Sequence, residues 1–268
     1  MIPLERARHS RLVRQYADAA WDWVQTSRRG RVLQALGRAC NLVNERGEVL
    51  SLVTTALGPG PFSWVIEGEL GEISAESPLL LQPTLPALTL GPYHISLTGA
   101  QRWSARPDWA ALRHSDPAAW PRAAWTLPGA EAALTALTQG VATGAADLCR
   151  GAVRQLAGRG PGLTPAGDDY VLGALYALWV WQPASPLIQL LVNLAAPRTT
   201  TLSAAFLRAA ARGEATWHWH ALAQGAPNAA AAICRVGASS GAAMWRGFVE
   251  CATALTDSAE SCLLSPSA

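Results

Sequence analysis

The chain contains no lysine: all 21 of its basic residues are arginine. A Schiff base, a pyridoxal phosphate linkage, a biotinyl-lysine and the lysine of a Walker-type phosphate loop all need an amine side chain, so none of them is available here. A bound anion must then be held by arginine, by backbone N–H groups or by a metal. Charge is scarce as well, at 15% of residues with a formal net +2. That balance implies neither a nucleic-acid nor a membrane-surface partner. Arg6, Arg8, Arg11 and Arg14 make the first segment locally basic, and it reads as the solvated face of an opening helix. The five cysteines, Cys40, Cys149, Cys234, Cys251 and Cys262, form no C-x-x-C pair. They read as reduced thiols of a cytoplasmic protein, with neither a disulfide framework nor a zinc site. The N-terminus lacks the apolar core of a signal peptide, so no export is expected. Long apolar runs are missing too. Val171 to Trp181 and Leu187 to Ala196 are separated by Gln182, Pro183 and Pro186, and neither reaches the ~20 residues that span a bilayer. Two buried helices joined by a proline turn are expected.

What is abundant is apolar: half of the 268 residues are hydrophobic, 12 of them tryptophan. Such a chain can bury a large core in one domain or two. "ACNLVNERGEVLSLVT", "FSWVIEGEL" and "YHISLTGAQRW" alternate as strands do, with "NERGE" as a hairpin turn. From Gly129 onward the segments are rich in alanine and leucine and of helical length. The expected fold is therefore α+β, with a β-rich domain and its N-terminal helix over residues 1–128 and a helical domain over 129–268. The junction is placed at "TLPGAE". Trp103, Trp109, Trp120 and Trp125 near this junction read as packing residues. His218 and His220 in "WHWH" fall in a helical pattern, where residues two apart diverge, so they do not form a metal pair.

One stretch concentrates unusual chemistry. "GRGPGLTPAGDDY", Gly158 to Tyr170, places four glycines and two prolines before two adjacent carboxylates, Asp168 and Asp169, at a helix entrance. Helix capping by Asp accounts for part of the pattern. The glycine density and the second carboxylate go beyond it. A glycine-rich entrance exposes backbone N–H groups that suit an anion, and the carboxylates oppose that anion unless a cation intervenes. Asp168 is accordingly expected to cap its helix, and Asp169 to reach a ligand or Mg²⁺. Gly160, Gly162, Thr164 and Gly167 form the rest of this candidate binding loop. Two further small-residue entrances follow. Arg198, Thr199, Thr200 and Ser203 precede or open one helix, with Arg198 as a candidate anion clamp, and Ser239 and Ser240 open another.

"GPGLTPAGDD", followed in order by "TTTLSAAFLRAA" and "SSG", closely resembles the signature of the bacterial family that includes the AllH subunit of oxamate carbamoyltransferase. The resemblance covers most of the second half. It implies transfer of a carbamoyl group between carbamoyl phosphate and oxamate, giving oxalurate and phosphate, in the breakdown of allantoin and purine nitrogen. It also implies a complex with two other kinds of subunit and a small anionic substrate, with Asp168 and Asp169 as the catalytic candidates. Ala238, Ala242 and Ala243 depart from the family's more polar pattern. A paralogue acting on another carbamoyl or carboxyl acceptor therefore stays open, as does a non-catalytic assembly or regulatory subunit.

Overall fold

The computed structural model describes residues 9–82 and 84–264, the side chains of 260–264 excepted. The chain divides into two compact units between Ala105 and Arg106. The first is β-rich and the second helical, as the change in apolar period implies.

The first unit is one nine-stranded sheet. Its strands are β1 (His9–Tyr16), β2 (Gly30–Leu36), β3 (Ala39–Asn44), β4 (Val49–Thr54), β5 (Ser63–Ile66), β6 (Leu79–Gln82), β7 (Ala87–Leu90), β8 (Tyr93–Ser96) and β9 (Gln101–Arg102). They run in the order β2-β3-β4-β5-β1-β8-β7-β6, with β9 beside β1. The end strands β2 and β6 meet, Leu79 lying against Gly30, so the sheet closes in barrel-like fashion. β3 and β4 form the expected hairpin across "NERGE". The opening segment differs from expectation: Arg11 and Arg14 lie on strand β1, and the helix α1 (Asp18–Thr26) follows it. Its Trp23 is buried and donates to the Glu48 carbonyl at 2.8 Å, which anchors the helix to the sheet. Arg6 and Arg8 lie outside the described residues.

The second unit contains α2 (Glu131–Thr143), α3 (Ala146–Leu156), α4 (Ala166–Trp181), α5 (Leu187–Ala195), α6 (Thr201–Ala211), α7 (Trp217–Ala223), α8 (Ala229–Cys234) and α9 (Ser240–Leu264). α4 and α5 are the two helices expected around the proline turn. α4 is apolar on every side and buried along almost its whole length, so it forms the axis of the unit. α9 packs directly on it. Gly173 and Gly247 permit this contact, since a Cβ at Gly173 would lie 2.0 Å from the Met244 carbonyl and one at Gly247 2.2 Å from that of Tyr170. His218 and His220 sit on the helix α7 as expected.

Residues 106–128 pack with the helices instead of the sheet, for an aromatic reason. Trp109 stacks on Tyr176 at 5.1 Å, Trp120 on Phe248 at 5.2 Å and Trp125 on Tyr170 at 6.2 Å. The unit boundary therefore falls ahead of "TLPGAE". Among the described residues, no helix is long and apolar enough to cross a membrane. The described cysteines Cys40, Cys149, Cys234 and Cys251 are free thiols. The side chain of Cys262 lies outside the described set.

Candidate functional site

The glycine loop turns the chain from the end of α3 into α4. Gly158, Gly160 and Gly162 take positive φ values of 73°, 123° and 87°, a region that side chains with a Cβ disfavour. Gly167 serves another need. A Cβ there would sit 2.1 Å from the Leu156 carbonyl, so only glycine lets the first turn of α4 rest on the end of α3.

Asp168 and Asp169 lie in that first turn, where the positive end of the helix dipole favours negative charge. Their backbone N–H groups both go to the Pro165 carbonyl, at 2.9 and 3.1 Å. Neither side chain caps α4, whose cap position, Pro165, has no side-chain bond. Asp168 instead reaches across the loop. One of its oxygens accepts the Gly158 N–H at 2.9 Å; the other accepts the Ser203 hydroxyl at 3.0 Å and the Thr199 hydroxyl. It pins the entrance of α6 to the loop. This corrects the expectation that it caps its own helix, and the reason is geometric: the glycine turn brings outside donors closer than the helix's own N–H groups.

Three more bonds complete the junction. The Thr200 hydroxyl donates to the Leu163 carbonyl and accepts from the Ser203 N–H at 3.1 Å, capping α6. The Thr164 and Ser240 hydroxyls are 2.9 Å apart, tying the loop to the start of α9. The N-termini of α4, α6 and α9 thus share one loop. Gly160 and Gly162 are exposed on it, as is Ser239 at the α9 entrance.

The carboxyls differ in their surroundings. Both are buried, at 1% and 4% exposure. Burial pushes the Asp168 carboxyl up from its ordinary range, opposed by the Thr199, Gly158 and Ser203 hydrogen bonds. The Asp169 carboxyl is pushed up to about 7, first by burial and further by the neighbouring Asp168 charge, against a lowering hydrogen bond with Ser240. Its Oδ2 has no hydrogen-bond partner. A buried carboxylate oxygen without a donor is costly, which favours the protonated carboxyl at this position.

Arg198, expected as an anion clamp, stands apart from this network. Its guanidinium is exposed and donates to the Leu194 carbonyl at 2.8 Å, one turn back along the chain. Its backbone carbonyl, not its charge, lies against Gly158. The proline in "APR" makes a short 3-10 turn here, which aims the side chain back over α5. Nor does the donor set suit Mg²⁺. Asp168 is surrounded by hydrogen-bond donors, Asp169 offers one free oxygen, and among the described residues no three His, Cys, Asp or Glu side chains converge.

Sequence reasoning missed the residues behind the site. The Tyr170 hydroxyl donates to Glu250 at 2.6 Å and meets the Thr138 hydroxyl at 2.8 Å, and Glu250 is held by Arg246 at 2.7 Å. The signal available was the "RGFVE" spacing on α9, which places Arg246 and Glu250 four apart on one helix face.

Residues 156–252 match the family described as oxamate carbamoyltransferase subunit AllH. The matched span runs from the end of α3 through the glycine loop to α9 and includes all three helix entrances. No solved structure matches the chain.

Proposed function

From a helical region of the AllH type, we propose that the chain is a subunit of an oxamate carbamoyltransferase complex and binds a small anionic substrate at the glycine loop. The reaction is carbamoyl transfer. The amide nitrogen of oxamate attacks the carbonyl carbon of carbamoyl phosphate, the carbon–oxygen bond to phosphate breaks, and the nitrogen's proton leaves with the phosphate to give oxalurate and hydrogen phosphate. The observation that carries this reading is the unpartnered, buried Oδ2 of Asp169 in the first turn of α4, beside Ser240 at the start of α9. A carboxyl poised near neutrality can take the amide proton and pass it on, which is the task of a general base at physiological pH. Exposed N–H groups of the loop and the helix entrances are suited to the oxyanion that develops on the carbonyl. Asp168 is a positioning residue in this scheme: through Gly158, Thr199 and Ser203 it sets the loop on which Asp169 depends.

A second reading, a binding or assembly subunit without the reacting centre, is favoured by one observation. Arg198 turns its charge away, so the doubly charged phosphate finds no guanidinium in this hydrogen-bonded network. In that case a partner subunit supplies the cation.

The test is made on the assembled complex. Asp169→Asn is expected to fold and assemble normally yet lose oxalurate formation by at least tenfold, about 1.4 kcal/mol. Full activity of that variant would remove Asp169 from the chemistry. Calorimetric titration of the isolated chain with carbamoyl phosphate, with and without Mg²⁺, separates the two readings. Heat of binding by the chain alone supports the first, and heat only in the presence of partner subunits supports the second.

A further inference from the structure

Outside the glycine loop, a cavity of about 290 Å³ lies between α2 and α9 in the helical unit. Its floor is the polar cluster built on Thr138, Arg246 and Glu250, and Arg122, Thr135 and Gln139 stand at its mouth. The charges of the floor are unevenly spent. Glu250 uses both oxygens, one on Arg246 and the other on the buried Tyr170 hydroxyl. Arg246 uses Nε on Glu250 and Nη1 on the Trp125 carbonyl at 2.7 Å, and its guanidinium lies over the Trp125 ring at 5.8 Å. Three contacts therefore fix the guanidinium in place. Among the described residues its Nη2 makes no hydrogen bond, and neither does the guanidinium of Arg122. The result is one immobilised arginine with a free donor and a second arginine at the rim.

We propose that this cavity binds a small organic carboxylate carrying a single negative charge. The free Nη2 donor of Arg246 offers one charge-assisted hydrogen bond to a carboxylate oxygen, Arg122 at the rim is placed to offer a second, and the ordering cost at Arg246 is already met by Trp125 and Glu250. Thr135 and Gln139 present a hydroxyl and an amide to a polar substituent of the ligand. Glu250 in the floor already takes up part of Arg246's charge, which disfavours a second negative charge on the ligand. The volume lies at the lower end of ligand pockets, which suits a small ligand. The ligand would sit one hydrogen bond from Tyr170, the residue after Asp169, but the site shares no residue with the glycine loop.

Calorimetric titration of the full chain with lactate tests the proposal, with inorganic phosphate as a second probe. Lactate is expected to bind with a Kd of about a millimolar or tighter. Arg122→Gln, which removes no hydrogen bond or ion pair among the described residues, should weaken it at least tenfold, and Asp169→Asn should leave it unchanged. Failure of the glycine-loop reading is thus distinguishable from failure of this one. Absence of lactate binding to the wild-type chain, binding that Arg122→Gln leaves intact, loss on Asp169→Asn, or a clear preference for phosphate would each overturn it.

Discussion

Asp169 is the residue at which environment overrides ordinary chemistry most strongly. Its carboxyl sits at about 7 against an aspartate's usual 3.8 because burial removes water that the one hydrogen bond from Ser240 does not replace. The raised value favours the protonated form in the fold. Asp169 therefore contributes stability that is fully present below about pH 4 and is lost as pH rises through about 7. The penalty on the ionised form is on the order of 4 kcal/mol. Asp169→Asn keeps the shape and never ionises. Its thermal unfolding temperature should exceed that of the wild type at pH 8 and fall back toward it at pH 5. A gap between the two proteins that stays constant across that range would show that the carboxyl does not titrate there. Asp168 differs only in its neighbours: three donors reach its two oxygens. The adjacent carboxylates were legible in the sequence as a feature; their division of labour was not, because Thr199 and Ser203 come from the entrance of α6, some thirty residues later.

Between elements, glycines decide how closely helices approach. Gly173 and Gly247 sit where α4 and α9 touch backbone to backbone, and a methyl group at Gly173 would overlap the Met244 carbonyl and the Phe248 N–H. Gly173→Ala must push two buried helices apart and is expected to destabilise the helical unit by roughly 3 kcal/mol, near the upper end of the cost of overpacking. Gly144 offers the contrast. It ends α2 in the left-handed region with φ 69°, and an added Cβ would meet nothing within 4 Å. Gly144→Ala should cost only the conformational term, about 1 kcal/mol. Chemical denaturation of both variants checks the order. Equal losses would mean that the α4–α9 contact relaxes freely. Helical glycines inside "YVLGAL" and "WRGFVE" are visible in the sequence as local weak points. Only the packed pair shows that they answer each other.

At the scale of the whole chain, the boundary ahead of Arg106 sets what folds alone. A fragment of residues 106–268 keeps Trp109, Trp120 and Trp125 on the helical core, with Trp109 also donating to the Gly213 carbonyl at 2.8 Å. It is expected to unfold in one cooperative thermal transition. A fragment of residues 129–268 strips those aromatics from Tyr176, Phe248 and Tyr170, and should lose several kcal/mol or fail to fold cooperatively. If the shorter fragment melts at the same temperature as the longer one, the tryptophan segment contributes nothing to the helical core.

The sequence by itself determined the class of the fold, because apolar period is a property of neighbouring residues: strands alternate by two and helices by 3.6, and the change between them is readable without any contact. It also determined the glycine loop and its carboxylates, since unusual backbone needs glycine wherever the chain goes. The tertiary structure decided what those residues touch. Arg198 looked like a clamp beside a hydroxyl-rich entrance, and a short 3-10 turn sends its guanidinium back to Leu194. Asp168 looked like a cap, and donors from the α6 entrance take it instead. Residues 106–128 carry little regular pattern, so their allegiance rests on tryptophan contacts with distant helices. In each case the deciding partner is far along the chain, and long-range pairing is set by packing, which local pattern does not encode.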